Sequence, residues 1–434
     1  MICAYYATHT SVRRVERFKR RALALVQRRL AAARAVVLNG PRQSGKTELL
    51  HVVEADVGGT YLSLDRRELV AQARLDPYGF LADHPRPLLI DEVQRGGDQL
   101  LLALKLELDT SPAKGRAVLA GSTRFLTEPR LSESLAGRVR FVDLWPLSEG
   151  EIEGTTTDGI ADLFAGVEAM RAPTSPIGRA DAIERVCRGG FPEAVLAGGA
   201  RDRREFHLDY IRTITQRDVL ELSNLHQATE LPRLAEILAA RTAQELVATS
   251  IANDAQMGRD TIRRYLPLLE TVYVHHLLPA WGTNLRDRSV RRPKLHFVDC
   301  GLAAAILGQD VASLLRPGAP ALGALLETFV VGEVAKQATW SDVDVRLSHW
   351  RDRTGTEVDL VLEGPGGTVV GVEVKATMSP THDDAKGLRA LRDGLGERFV
   401  QGVVVHLGPG VVPFGDRITA VPISRLWRSP AGGR

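Results

Sequence analysis

One stretch near the start of the chain restricts the fold more than any other. The segment "AAARAVVLNGPRQSGKTELL" (31–50) has the pattern of a short apolar strand, a glycine-bearing loop and the start of a helix. Its loop matches the phosphate-binding pattern G-x-x-x-x-G-K-[ST]. In that setting backbone N–H groups and the helix N-terminus cradle phosphates, Lys46 reaches the β- and γ-phosphate oxygens, and Thr47 ligates Mg²⁺. The pattern predicts an α/β fold that binds a nucleotide through Gly40, Pro41, Arg42, Gln43, Ser44, Gly45, Lys46 and Thr47.

An acidic motif supplies the second half of this predicted site. In "RPLLIDEVQRG" (86–96) an apolar run ends directly at Asp91 and Glu92. In a nucleotide hydrolase Asp91 holds the magnesium shell, and Glu92 orients or deprotonates the attacking water. The alternative is an ordinary helix start, where the helix dipole favours acidic residues. Because the phosphate loop lies upstream, we interpret the pair as catalytic.

Two further candidate site positions follow along the chain, one after an apolar strand and one before the next. In "RAVLAGSTRFL" (116–126) Ser122 and Thr123 stand just past the end of an apolar strand, where parallel sheets present ligands. Either hydroxyl is placed to sense the γ-phosphate, and Ser122 is the preferred candidate. Arg138 follows a glycine and precedes another apolar strand. We predict it as an arginine finger, acting in its own subunit or on a neighbour, with a structural role as the alternative.

Length and composition limit the number of domains and the class of protein. A chain of 434 residues is long enough for about three domains, and 44% hydrophobic with 25% charged residues is typical of a soluble globular protein. Cys3, Cys187 and Cys300 lie far apart, so neither a disulfide framework nor a zinc site is indicated. No apolar run approaches the ~20 residues that span a bilayer. We therefore predict a cytoplasmic protein without a membrane segment.

Two basic segments indicate nucleic acid as a partner. Residues 13–34 are strongly basic, which suits phosphate contacts or, alternatively, the solvated face of a helix. Between 231 and 278 the pattern is helix, helix, turn, helix and strand. In the last helix Arg259, Arg263 and Arg264 fall on the faces away from the apolar positions. This predicts a helix-turn-helix that contacts DNA, although such modules also serve as protein docking or hinge elements.

A charged hairpin lies near the C-terminus, in "GTEVDLVLEGPGGTVVGVEVKAT" (355–377). Two valine-rich strands flank a Gly/Pro turn, and each strand carries charge. Because successive strand residues point to opposite faces, Val358 and Leu360 share one face and Asp359 lies on the other. In the second strand Glu373 and Lys375 lie together on one face. The alternation predicts one packed face and one face that presents the charges.

The turn decides whether the carboxylates meet. A loop with an odd number of residues, such as 364–368, sets Asp359 across from Glu373, whereas an even number turns them to opposite faces. Facing carboxylates repel, and a Mg²⁺ or Mn²⁺ ion between them relieves that repulsion. Lys375 would then activate the metal-bound water or offset phosphodiester charge. The alternative is a salt-bridged surface hairpin in which Lys375 neutralises Glu373.

Longer segments join these motifs in one order along the chain. After "LNGPRQSGKTELL", "LLIDEVQR" and "LAGSTRFL" come "ESLAGRVRFVDLWPLSEGE", "GGFPEAV", "YLPLLETVYVHHLLPAW", "HFVDCGLAAAIL" and "GALLETFVVGEVAKQ". Together they cover nearly the whole chain. In this order the chain resembles the bacterial and archaeal AAA-type ATPases that carry a C-terminal domain of unknown function. The resemblance implies an ATP-binding core, a helical and winged-helix middle, and a restriction-endonuclease-like end.

The charged hairpin is similar to the PD-(D/E)XK nuclease pattern, with Val-Asp in place of the usual Pro-Asp. That fold also uses a glutamate on the preceding helix. "GALLETFVVGEVAKQ" offers Glu327 and Glu333, which are six residues apart and so lie on different helix faces. The resemblance implies a Mg²⁺ or Mn²⁺ site formed by Asp359, Glu373 and Glu327, with Glu333 in reserve and Lys375 as the catalytic lysine.

These observations predict a multidomain α/β protein in four parts. A P-loop AAA-type ATPase core with a basic N-terminal helix covers residues 1–150, a helical lid 151–228, a winged helix 229–288, and a PD-(D/E)XK nuclease-like domain 289–434. The predicted function is ATP hydrolysis coupled to action on nucleic acid, with DNA preferred as the partner. The sequence leaves open whether the chain forms a homo-oligomer. The alternative is an ATP-dependent switch whose C-terminal domain only binds a partner. Metal-dependent DNA cleavage distinguishes the two.

Overall fold

The computed structural model describes residues 18–122, 135, 137–171, 177–219, 230–282 and 292–428. Thr123 and the start of the basic N-terminal run lie outside these ranges. Among the residues described, no helix combines the length and the apolar character that crossing a membrane requires. The chain divides into two compact units. The first comprises Met1–Gly40, Gly45–Leu144 and Glu151–Gly154, and the second Pro41–Ser44, Trp145–Gly150 and Thr155–Arg434.

The first unit is built on a parallel sheet. Its central strands are short aliphatic runs that are buried at every position, as expected where both faces of a sheet are covered. The strand order is β2-β3-β4-β1-β5, so the strand that ends in the acidic pair is separated from the strand before the phosphate loop by β4. The strands are β1 (Ala35–Asn39), β2 (Thr60–Ser63), β3 (Leu88–Asp91), β4 (Ala117–Gly121) and β5 (Val139–Asp143).

Helices cover both faces of this sheet. The first helix buries Leu25, Val26 and Leu30 at helical spacing, in one core with Val36 and Leu38 of β1. The fifth helix buries leucines in a second core on the other face. The helices are α1 (Ala22–Ala32), α2 (Lys46–Val57), α3 (Arg67–Leu75), α4 (Pro77–Ala82) and α5 (Gly97–Thr110), and α6 (Glu149–Glu153) contains residues of both units.

The second unit continues with a helical region. Its last helix runs into a short π-helical turn, Ile214–Asp218. Ile211, Ile214 and Val219, which we expected to share an apolar face, are all buried. The role of this region as a lid stays a prediction. The helices are α7 (Gly159–Phe164), α8 (Val167–Arg171), α9 (Arg179–Arg188), α10 (Pro192–Leu196) and α11 (Ala200–Thr213).

A small module of helices and strands follows. Its third helix buries Ile262 and Leu269 and exposes Arg259, Arg263 and Arg264, as the sequence pattern predicts. The three strands pair antiparallel in the order β6-β8-β7, and β8 lies beyond residue 288, where we predicted the winged helix to end. The elements are α12 (Leu231–Ala240), β6 (Gln244–Glu245), α13 (Ala248–Ala255), α14 (Arg259–Thr271), β7 (His275–Leu278) and β8 (Lys294–Phe297).

The C-terminal part is a mixed six-stranded sheet with helices. The strand order is β13-β14-β12-β11-β10-β9; β11, β12 and β14 are parallel, and the other neighbours are antiparallel. The helices are α15 (Cys300–Ile306), α16 (Val311–Leu315), α17 (Leu322–Ala338) and α18 (Lys386–Leu395), and the strands are β9 (Arg346–Arg351), β10 (Glu357–Glu363), β11 (Val369–Lys375), β12 (Phe399–His406), β13 (Val412–Pro413) and β14 (Ile418–Pro422).

The hairpin of β10 and β11 differs in one respect from the expected alternation. The register between β9 and β10 shifts between Val358 and Val361, so β10 carries one extra residue there. Val358 therefore packs with Val361 and Leu388, while Leu360 packs in the other core. The prediction that Val358 and Leu360 share a face was wrong, because a bulge interrupts the two-residue period.

The turn has the predicted parity. Glu363 pairs with Val369, so the connecting loop contains the five residues 364–368. The ladder ends at Leu360 and Val372, and beyond it the Asp359 carboxylate accepts from the N–H of Val374, the residue after Glu373. The odd-numbered loop, the condition for the two carboxylates to lie opposite each other, is confirmed.

Candidate functional site

The phosphate loop takes a backbone conformation that depends on glycine. Gly45, the last residue before α2, has φ 93° and ψ 25°, a left-handed conformation that residues with a Cβ rarely adopt. Gln43 has φ 59°, a second left-handed position in the same loop. The loop therefore turns sharply from the end of β1 into α2, and the first N–H groups of α2 point back over the turn.

The loop lysine is held against its own loop. Lys46 Nζ donates to the carbonyl oxygen of Gly40 at 2.9 Å, and Lys46 is only 5% exposed. Pro41 and Ser44 are also buried, whereas Gln43 and Thr47 are exposed. Phosphate oxygens can take the place of the Gly40 carbonyl, because the exchange replaces one oxygen acceptor with another.

Arg42, which we predicted as a phosphate contact, has an acidic partner in this structure. Its Nη1 lies 2.7 Å from Oδ1 of Asp218, the last residue of the π-helical turn, and both residues belong to the second unit. The Asp218 side chain is only 9% exposed, and that of Arg42 about one-third. A phosphate contact by Arg42 therefore requires this ion pair to open or to share the guanidinium.

Asp91 is surrounded by neutral donors. It is 3% exposed at the end of β3, and its Oδ2 accepts from Thr47 Oγ1 at 2.6 Å and from the Tyr61 hydroxyl at 3.1 Å. Its Oδ1 accepts from the N–H of Glu92 at 3.1 Å. Burial and the Asp91 charge raise the pKa of Tyr61, so the phenol stays a proton donor. Sequence reasoning missed Tyr61, because nothing local indicates that β2 pairs with β3.

Glu92 stands in a strained position next to its predicted partners. It has φ 50° and ψ 43°, a left-handed conformation that costs a non-glycine residue about 1–3 kcal/mol. Ser122 Oγ donates to its Oε2 at 3.2 Å, and Gln94 Nε2 bonds to the same oxygen. Ser122, predicted to sense the γ-phosphate, thus touches the carboxylate of the predicted base. The neighbouring strands β3 and β4 bring the two side chains together.

The residues present fit a magnesium ion beside the phosphate loop. Mg²⁺ prefers hydroxyl, carboxylate and water oxygens, and the Thr47 hydroxyl and the Asp91 carboxylate meet at 2.6 Å. Asp91 accepts from the Thr47 and Tyr61 hydroxyls and the Glu92 N–H, which are neutral donors, so its charge is available to a metal. Thr47 and Asp91 would hold the ion.

Arg138 lies at the other end of the sheet. β5 runs parallel to β1 with Val139 beside Ala35, while the phosphate loop follows Asn39 at the opposite end of β1. Four residues of strand separate the two ends by about 13 Å. The Arg138 guanidinium instead bonds to Asp109, with Nη2 3.0 Å from Oδ2. A finger role within the same subunit is therefore wrong, and a role towards a neighbouring subunit stays a prediction.

The charged hairpin belongs to a cluster that includes a lysine we did not predict. Lys294 Nζ, at the start of β8, lies 2.8 Å from Oε1 of Glu327 and 3.2 Å from Oδ1 of Asp359. The other oxygen of Asp359 accepts from the N–H of Val374 at 2.9 Å. The three charged side chains are 5%, 14% and 8% exposed, respectively. The structure thus brings together Asp359 and Glu327 as predicted, with Lys294 between them.

Glu373 and Lys375 form the adjacent ion pair. Lys375 Nζ lies 2.8 Å from Oε1 of Glu373, and the Lys375 side chain is about one-third exposed. Burial, and then the charge of Asp359, raise the pKa of Glu373 to about 8. Burial and the Asp359 charge also raise the pKa of Glu327 well above its usual range. The charge of Asp359 therefore contributes to the raised pKa of both neighbouring carboxyls.

Glu333, the reserve candidate, lies in a different environment. Its Oε2 accepts from the N–H of Glu149 at 2.8 Å and its Oε1 from Lys336 Nζ at 2.7 Å. It is fully buried in this network, whereas Glu327 contacts the hairpin cluster through Lys294. The choice between the two glutamates is thus decided in favour of Glu327 as the neighbour of Asp359.

The donor set of the hairpin cluster does not fit a divalent ion. In the described ranges, no group of three or more His, Cys, Asp and Glu side chains is arranged to hold a metal. Two of the three predicted ligands, Glu327 and Asp359, share the ammonium of Lys294, and Glu373 bonds to Lys375. The predicted Mg²⁺ or Mn²⁺ site at Asp359, Glu373 and Glu327 is therefore corrected: lysine ammonium groups are the cations of this cluster.

Three family models match consecutive parts of the chain. Residues 32–153 match the AAA domain, residues 179–313 match a domain of unknown function (DUF8612), and residues 322–426 match another (DUF4143). The first match contains the phosphate loop, Asp91 and Glu92. Residues 32–153 are an AAA-type ATPase domain. This AAA domain implies ATP as the nucleotide and Mg²⁺ as its usual metal, and the other two models assign no activity to the rest.

Similar proteins extend along most of the chain. The uncharacterized protein Rv2008c of Mycobacterium tuberculosis is 29% identical over 410 residues, which are 94% of this chain and 84% of that protein. The uncharacterized protein MJ1544 of Methanocaldococcus jannaschii is 24% identical over 190 residues, 42% of this chain and 40% of that protein. The structure of the Walker-type ATPase PABY2304 of Pyrococcus abyssi, 16% identical, covers 69% of this chain and 99% of its own, with a TM-score of 0.42.

Proposed function

We propose that the AAA domain hydrolyses ATP and uses the cycle to act on nucleic acid. The observation that carries the proposal is the arrangement at the end of β3, where Thr47 bonds to Asp91 and Ser122 bonds to Glu92. A buried acid that can join a magnesium shell and a second acid beside it that can orient water are parts that nucleotide hydrolysis uses, and the backbone strain at Glu92 supports a functional role.

Each residue has a defined part in this proposal. Lys46 exchanges the Gly40 carbonyl for oxygens of the terminal phosphates, which adds positive charge where negative charge develops. Bound Mg²⁺ neutralises phosphate charge. Glu92 orients the attacking water and accepts its proton, and Ser122 holds the Glu92 carboxylate in place. Tyr61 positions Asp91.

The small module between 231 and 297 supports nucleic acid as the target. Its order of helix, strand, helix, helix, strand and strand supports the winged-helix prediction. The third helix of such a module enters a groove of DNA, and here that helix is α14. Arg259, Arg263 and Arg264 are exposed on α14, and the Arg264 guanidinium lies 5.2 Å from the ring centre of Tyr265. We therefore propose that α14 contacts the phosphate backbone.

The test is a salt titration of DNA binding by two matched double variants. Arg263→Ala/Arg264→Ala removes two exposed arginines from α14, and Arg201→Ala/Arg204→Ala removes two exposed arginines from α11. We expect only the first to weaken binding and to reduce the slope of log K against log salt by about 2, since each lost phosphate contact removes about 0.9. Equal behaviour of the two variants would refute the role of α14.

A second candidate function is an ATP-dependent switch whose C-terminal part only binds a partner. The pairing of Lys294 with Glu327 and Asp359 favours this candidate over a metal-dependent nuclease. Incubation with supercoiled, linear and branched DNA, with and without ATP and with Mg²⁺ or Mn²⁺, separates them. Cleavage that Asp359→Ala abolishes would support the nuclease, and DNA-stimulated ATP hydrolysis without cleavage would support the switch.

A further inference from the structure

Lys294 is a buried charge at the start of a fully buried strand. β8 has the sequence "KLHF", and all four residues are buried. A buried ammonium costs several kcal/mol unless acids compensate it, so its partners are structurally required. Two carboxylates at 2.8 and 3.2 Å supply the compensation, one from α17 and one from β10. Lys294 therefore joins three separate elements of the second unit at a single atom.

The charges of the cluster are balanced without a metal. Glu327, Asp359 and Glu373 contribute three negative charges, and Lys294 and Lys375 contribute two positive charges. The net charge is then −1, and a proton shared among the carboxyls cancels it. Without Lys294 the net charge would be −2, which is the charge that a divalent cation neutralises. The ammonium of Lys294 thus takes the electrostatic place of a divalent ion.

We infer that Lys294 is the permanent cation of this carboxylate cluster and that it keeps divalent ions out of the cluster. The ammonium is within hydrogen-bond distance of both Glu327 and Asp359, so a metal can reach these oxygens only by displacing it. The cluster then holds β8, α17 and β10 together in a metal-independent way. This inference goes beyond the proposed ATPase function and does not depend on it.

The inference is tested by Mn²⁺ binding to the full-length protein without nucleotide, followed by electron paramagnetic resonance. The wild type and the Asp359→Asn protein should bind the same amount of Mn²⁺. Lys294→Ala frees two carboxylates, so it should gain one bound Mn²⁺. The gain should disappear in Lys294→Ala/Asp359→Asn. Lys336→Ala is the matched control, because Lys336 is a buried lysine of the same unit that pairs with one carboxylate, Glu333.

Two outcomes would overturn the inference. The first is Mn²⁺ binding by the wild type that Asp359→Asn abolishes, and the second is a Lys294→Ala protein that binds no more Mn²⁺ than the wild type. Where Lys294→Ala does not fold, Lys294→Met keeps the aliphatic stem without the charge. The first outcome is tested by comparing Mn²⁺ binding of the wild type with that of Asp359→Asn, which requires no change at Lys294.

Discussion

Both units contain a buried lysine and buried acids, and the hydrogen bonds of these groups differ between the two places. In the AAA domain Lys46 donates to a backbone carbonyl, and the donors to Asp91 are two hydroxyls and an N–H. In the second unit Lys294 donates directly to Glu327 and Asp359. Neutral donors leave the charge of Asp91 for an incoming metal, whereas an ammonium cancels the charge of the acids that it contacts.

The comparison teaches that residue types alone do not identify a metal site. Both regions contain the acids and the lysine that metal-dependent phosphate chemistry uses. What differs is the set of groups that contact the acids. Asp91 accepts from two hydroxyls and an N–H, whereas Lys294 lies between two carboxylates and cannot leave without exposing both charges.

The largest effect is expected from Lys46→Ala. The change removes the charge that faces the terminal phosphates, so we expect tight ATP binding to be lost. Isothermal titration with ATP and Mg²⁺ measures this directly. Unchanged affinity would mean that the loop does not bind the nucleotide as we propose and would remove one side of the comparison.

Glu92→Gln should separate binding from hydrolysis. The amide keeps the shape of the side chain and its contact with Ser122 but cannot accept a proton. We expect ATP affinity to stay within a few-fold and turnover to fall by about 10²-fold or more, the usual effect of a lost general base. Steady-state phosphate release gives the measurement, and equal turnover by the two proteins would exclude Glu92 as the base.

On the other side of the comparison, Lys294→Ala should destabilise the second unit. Removing one partner of a buried ion pair leaves uncompensated charge and costs about 3–5 kcal/mol. Adding Glu327→Gln/Asp359→Asn removes those charges, so the triple variant should recover part of the loss. Urea denaturation followed by far-UV circular dichroism measures the difference. A triple variant that is no more stable than Lys294→Ala would show that packing, and not charge, explains the effect.

The pH dependence of stability should report Glu373. Its pKa is raised to about 8 in the folded protein, from an ordinary value near 4.5. A carboxyl with a raised pKa stabilises the fold fully below its unfolded pKa, and this contribution is lost as the pH rises through the folded pKa. Between pH 5 and 8 the wild type should lose stability relative to Glu373→Gln, by at most about 1.4 kcal/mol per pH unit. Parallel urea midpoints across this range would contradict the raised pKa.

The smallest effect is expected from mixing variants of Arg138 and Lys46. This experiment tests whether the ATPase site is complete within one chain. Arg138 lies at the sheet end away from its own phosphate loop, so any catalytic contact must be to a neighbouring subunit. We expect Arg138→Ala and Lys46→Ala proteins to be inactive separately and to recover a fraction of turnover when mixed. If mixing restores nothing, Arg138 has a structural role, to which its contact with Asp109 contributes.

The sequence predicted best what is local. The phosphate loop, Asp91 and Glu92 each lie within one short motif, so their placement follows from neighbours in the chain. Tyr61 and Lys294 come from strands whose pairing the sequence does not specify, and both were missed. The same reason applies to Arg138. The residue was correctly predicted to precede a strand, but the end of the sheet at which this strand begins depends on the strand order.

The hairpin shows a second limit. The loop between β10 and β11 was predicted with the right parity because turn residues are visible in the sequence. The bulge near Val358 was not, because it is defined against β9, a strand that contacts β10 only in the folded sheet. A period-two pattern therefore predicts faces reliably only as far as the pairing stays regular.

The backbone of Glu92 has a consequence for reading related sequences. Glycine, asparagine and aspartate adopt left-handed angles more easily than glutamate, so the chain keeps Glu92 against its conformational preference. A lineage that no longer hydrolyses nucleotide has nothing to offset that preference and should drift towards glycine or asparagine at this position. If Glu92 is the base that we propose, the residue that follows the strand-ending aspartate should distinguish hydrolysing from non-hydrolysing relatives.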